Sequence, residues 1–60
     1  MKVGDQVIAN VAENLLQPQN VQGVIISIYI APQKNFYLIF LETGEYKTLE
    51  EKYVSSLDEE

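Results

Sequence analysis

The sequence predicts an all-β fold of five short strands, and three observations carry that expectation. Val7, Ala9 and Val11 stand at alternate positions, the period of a half-buried strand. The run VQGVIISIYIA is dense in β-branched residues and stops at Pro32, as a buried or curling strand would. FYLIFL and EYKTL flank the tripeptide ETG, which is the spacing and composition of a tight hairpin.

The elements follow in chain order. VGDQVIANV begins with a Gly-Asp turn and continues as the first strand. AENLLQPQN is polar, and Pro18 prevents a helix from running through it. It is therefore a long loop, with Leu15 and Leu16 expected to tuck it against the body. VQGVIISIYIA is the second strand, and Gly23 near its start marks a bulge or tight bend. PQKN turns the chain into FYLIFL, the third strand, and ETG turns it again into the fourth. EEKY has no strand pattern and reads as one 3₁₀ turn, after which VSSL closes the fold as a short fifth strand.

A chain of 60 residues is a single domain that buries only about 60% of the surface its unfolded form exposes, so association is a natural source of further stability. No Cys is present, which removes disulfides and thiolate metal sites. The opening MKVGDQV lacks an apolar stretch of signal-peptide type, and no run approaches a membrane span. The expected location is the cytoplasm. Residues 1 to 41 are electrically balanced, and the whole net charge of -5 falls on residues 42 to 60, where seven acids face Lys47 and Lys52. Four Lys and no Arg cannot build a phosphate-tracking groove, so nucleic acid is not an expected partner. Residues 58–60, DEE, read as an acidic frayed tail beyond a domain of residues 1–57.

The order of elements resembles the small SH3-like barrels. VGDQV looks like their usual opening, QGVIISI like the G-x-V-x-x-I of their second strand, and FLETGEYKTLEEKYVSSL like the third-to-fifth-strand segment of Tudor-type and KOW-type domains. The resemblance implies a five-stranded barrel with a long first loop. It is specific for fold and weak for function, since the superfamily includes nucleic-acid readers, methyl-lysine and methyl-arginine readers, and accessory subunits such as the photosystem I stromal subunit and the variable chain of ferredoxin-thioredoxin reductase.

In barrels with F-x-E-x-G the Phe before the turn points inward, so the resemblance places Phe36, Leu38 and Phe40 in the core. With them come Val7, Ala9, Val24, Ile26, Ile28, Leu49, Val54 and Leu57, and Ile30 shares the inward parity of the second strand. The complementary parity sends Ile25, Tyr29, Tyr37, Ile39 and Leu41 outward onto one sheet surface. A contiguous apolar face of this kind marks a docking or self-association site unless the first loop or the tail covers it.

Catalysis is not expected. No His or Cys is present, and Ser27, Ser55 and Ser56 have no identifiable activating base. Neither a cofactor nor a metal is expected. Tyr46 and Tyr53, with Glu42 and Glu45, are the residue types of a cage for a methylated ammonium, although tyrosines also suit strands and barrel rims. The expectation is thus a non-enzymatic interaction module or small accessory subunit that binds a protein partner or a second copy through an apolar outer face. The alternatives are a Tudor-type reader using the tyrosine-acidic cage and, less favoured by charge, KOW-type nucleic-acid binding.

Overall fold

The structure, a computed structural model, describes residues 1–57. It is all-β: β1 (Gln6–Asn10), β2 (Asn20–Ile30), β3 (Asn35–Leu41), β4 (Tyr46–Glu50), a 3₁₀ turn η1 (Glu51–Tyr53) and β5 (Val54–Ser56). The acidic tail expected at residues 58–60 lies outside the described residues. One antiparallel sheet contains all five strands in the order β4-β3-β2-β1-β5.

β4 and β5 are the two edges of this sheet, yet only η1 separates them in sequence. In a flat sheet their axes would lie about 19 Å apart, four strand spacings of about 4.8 Å. Four residue steps from Glu50 to Val54 reach at most about 14 Å even when extended, and a 3₁₀ turn reaches less. The sheet must therefore curl, and its extents of 27 × 27 × 25 Å show that it does. Among the described residues no backbone ladder joins β4 to β5, so the curled sheet is open, not hydrogen-bonded into a closed barrel.

β2 makes the curl possible. Its first half pairs with β1 from Asn20 to Val24, and from Gly23 onward it pairs with β3. Between Ile25 and Ser27 the register to β3 slips by one residue, which leaves Ile26 as the extra residue of a bulge and reverses the strand's inside-outside parity. Ile25 points into the concave side before the bulge, and Ile28 packs against the core after it. The β3–β4 hairpin is a three-residue loop: the Gly44 amide donates to the Leu41 carbonyl at 2.9 Å and the Leu41 amide to that of Glu45 at 2.7 Å. Gly44 sits at φ 97°, the left-handed position such loops require.

The core comprises Val7, Ala9, Ile25, Tyr37, Ile39, Leu41, Leu49 and Val54. Val7, Ala9, Leu49 and Val54 are where the sequence placed them, but β3 is turned over. Ile39 is 0% exposed and Phe40 is 37% exposed, while Phe36 and Leu38 are half-buried on the convex side. In β2, Val24 is half-buried opposite Phe40, and Ile26 and Ile30 are exposed. Leu57 is half-buried beyond β5, its amide bonded to the Gln6 carbonyl.

Space explains the reversal. Gly23 faces the concave side, and a Cβ there would lie 2.6 Å from Ile39 Cγ2 and 2.8 Å from the Phe40 carbonyl oxygen. The absent side chain is the seat for Ile39. Branched aliphatic residues fill the tight inner curve, and the two larger Phe rings lie on the outer one.

The β1–β2 loop also differs from expectation. Leu15 and Leu16 do not tuck it down, and Leu16 is 93% exposed. Asn10, the buried polar residue, holds the loop instead: its Nδ2 donates to the Asn14 carbonyl at 3.0 Å, and its Oδ1 accepts from the Gln19 amide at 3.1 Å. Asn14 Oδ1 in turn accepts from the amides of Leu16 and Gln17. Local polar bonds thus do the work expected of apolar anchors.

Two substitutions test this packing. Ile39→Ala should cost about 2–5 kcal/mol in urea unfolding and clearly more than Phe40→Ala, because only the first opens a cavity in the core. Gly23→Ala should cost roughly 1–3 kcal/mol through overpacking, since the Phe40 carbonyl oxygen it meets at 2.8 Å is backbone and cannot rotate aside.

Candidate functional site

The convex face of β2, β3 and β4 is built from three cross-strand rows. Val24, Phe40 and Tyr46 form the first; Ser27, Leu38 and Thr48 the second; Tyr29, Phe36 and Glu50 the third. Directly opposed residues in antiparallel strands share a face, so the rows stack into one surface. Phe40 and Tyr46 touch with ring centroids 5.0 Å apart at 54°, a tilted aromatic contact. Tyr46 is 65% exposed. Ile26, pushed out by the bulge, adds a further exposed apolar side chain.

The two ends of this face differ in charge. At the third row Glu50 meets Lys34 Nζ at 3.8 Å and Lys52 Nζ at 3.9 Å, and Lys34 also lies 5.7 Å from the Phe36 ring centre. At the first row Gln22, Gly23, Val24, Phe40 and Glu42 line a shallow groove of about 170 Å³. Glu42 and Glu45 have no ion pair among the described residues. That end is apolar with an acidic rim.

An apolar outer face therefore exists, but it is made of other residues than the sequence nominated. Ile25, Tyr37, Ile39 and Leu41 are buried and cannot form it; Tyr29 alone of that set is exposed. The physical reason is the parity of β3, set by the seat at Gly23, together with the bulge that separates Ile25 from Tyr29. Phe36, Leu38 and Phe40 take their place. An isolated Gly within a strand pattern signals close backbone approach, and at position 23 it was the available sign that β3 is packed tightly from one side.

The tyrosine-acidic cage is not assembled. Tyr46 lies on the convex face beside Phe40, whereas Tyr53 is the last residue of η1 and packs against the core, with Lys52 Nζ 5.2 Å from its ring centre. Glu42 and Phe40 line the same groove, Phe40 also touches Tyr46, and Glu45 lies exposed between the hairpin loop and β4. The two rings expected to enclose one cation thus belong to different sides of the sheet. Among the described residues no group of acidic side chains is arranged to hold a metal ion, and no helix is long and apolar enough to cross a membrane.

On the concave side Tyr37 is the buried titratable group. Its hydroxyl donates to Glu51 Oε2 at 3.2 Å, fastening η1 to β3. Burial raises its pKa, and the hydrogen bond to the Glu51 carboxylate and that group's negative charge raise it further. No family model matches the chain, and neither a curated protein nor a solved structure matches it.

The direction of the Tyr37 shift fixes a pH dependence. The neutral phenol is favoured in the folded state, so its contribution is fully present below the unfolded pKa of about 10. It is lost as pH rises from there through the higher folded value. Alkaline unfolding followed by circular dichroism should be less steep in Tyr37→Phe than in the wild type.

Proposed function

We propose that the protein is a non-enzymatic interaction module or small accessory subunit that docks a protein partner on the convex face of β2, β3 and β4. The observation that carries this reading is the stack of three rows on this face, in which Tyr29, Phe40 and Tyr46 remain exposed, with the unpaired bulge residue Ile26 exposed as well. The β1–β2 loop leaves its own leucines in solvent and does not use them to cap this face. In a domain with a small core, covering these side chains contributes burial at about 25 cal/mol per Å². The partner surface that fits is apolar and carries a cationic group to meet Glu42 and Glu45 at the groove.

We read the architecture as a small SH3-like barrel. The support is the order of elements, the strongly curled sheet and the single 3₁₀ turn between the edge strands. Charge argues against nucleic acid: the four Lys are matched by more acids, and Lys34, Lys47 and Lys52 lie beside carboxylates. A cytoplasmic setting fits the absence of Cys.

Tyr46→Glu tests the docking face. The side chain is largely exposed, so unfolding should change by no more than about 1.5 kcal/mol, the worth of the lost contact with the Phe40 ring. Affinity capture from lysate of the native cells should lose the partner retained by wild type; identical capture by the two proteins overturns the reading. Polarisation titrations with single-stranded and duplex nucleic acids should stay flat at physiological salt, and salt-dependent micromolar binding would overturn the exclusion of nucleic acid.

A further inference from the structure

We propose that the chain forms a two-fold dimer by pairing the second half of β2 with the same segment of a second copy. β1 accompanies β2 only as far as Val24, and the last backbone bonds on that side are made by Ile25, whose carbonyl accepts from Gly4 at 2.9 Å and whose amide donates to Asp5 at 3.0 Å. From Ile26 to Ile30 the strand pairs with β3 on one side, and no described residue pairs with it on the other. Alternate amides and carbonyls along this segment thus face outward in the plane of the sheet, which is the template for strand addition.

The other edges are guarded by charge or shortness, and this one only by the bulge at Ile26. β4 carries Lys47 and Glu50 and is flanked by Glu45 and Glu51, and β5 has only three residues. Charge and shortness are the usual means of blunting an edge. Residues 20 to 33, in contrast, contain no charged side chain. Ile30 is 81% exposed, and Tyr29, Met1 and Val3 are exposed as well.

A second copy is the occupant that this segment fits. In a chain of net charge -5, two copies repel unless they meet where neither carries charge, and the open part of β2 lies within such a stretch. The pairing is self-complementary. With the two-fold axis through Ile28, Ile28 stands opposite its counterpart and Ser27 opposite Tyr29 of the second copy, so opposed residues keep the same face. Because that axis is perpendicular to the sheet, the convex faces of both copies point the same way. The dimer would present two docking faces on one side, while the dimer itself does not depend on either face having a partner.

Sedimentation and hydrogen exchange test this together. Wild type should shift from monomer to dimer between micromolar and millimolar concentration, and amides within Ile26–Ile30 should exchange more slowly as the dimer fills. Ile30→Lys, which alters an exposed side chain and places a charge on the edge, should remain monomeric, with an unfolding curve that matches wild type at concentrations where both are monomers. Tyr46→Glu, on the convex face, should dimerise like wild type. A wild type that is monomeric throughout, or one whose Ile26–Ile30 amides exchange at a rate independent of concentration, overturns the proposal whatever the variants do. Loss of the dimer in Tyr46→Glu but not in Ile30→Lys overturns it too, and would assign self-association to the convex face.

Discussion

The missing side chain at position 23 decides which way most of this protein faces. Ile39 occupies the space in which a Cβ would stand, and the β3 backbone closes in behind it. Once Ile39 is inside, Tyr37 and Leu41 must be inside as well, and Phe36, Leu38 and Phe40 must be outside. The tight seat also favours the curl that the short link between β4 and β5 demands. Core, convex face and curvature therefore depend on one close approach between two strands.

Much of the fold was legible in the sequence. The five strands, the hairpin at ETG, the 3₁₀ turn before β5 and the long first loop all carry local signals, and the structure places them within a few residues of expectation. Parity in β3 was not legible, because FYLIFL is apolar at every position and period 2 cannot choose between its two sets. The resemblance to barrels with F-x-E-x-G supplied the choice, and the packing at Gly23 reverses it. The bulge was hidden for a related reason: around Ile26 both faces of β2 are apolar, so an extra residue leaves no break in the pattern. The convex face was thus expected as a feature and populated with the wrong residues. The cage failed differently, since sequence proximity of Tyr46 and Tyr53 gave no sign that η1 would carry the second ring to the other side of the sheet.

Polar side chains organise the parts that hydrophobic patterning leaves open. Tyr37 and Glu51 join β3 to the one-turn connection between the sheet edges. Asn10 and Asn14 shape a loop whose leucines stay largely exposed. No described buried side-chain nitrogen or oxygen lacks a partner, so these few polar groups add order without leaving desolvated atoms behind.

The arrangement at Asn10 bears on how the gene could be rebuilt. One side chain grips the loop at both Asn14 and Gln19 while its backbone lies in β1, and the side chains at the tip, Leu15 and Leu16, are largely exposed. Opening the chain at that tip would sever no ladder and expose no core residue. New termini belong there, in a circularly permuted protein or around an inserted domain, because the cut ends would remain tied to the sheet by asparagine amides.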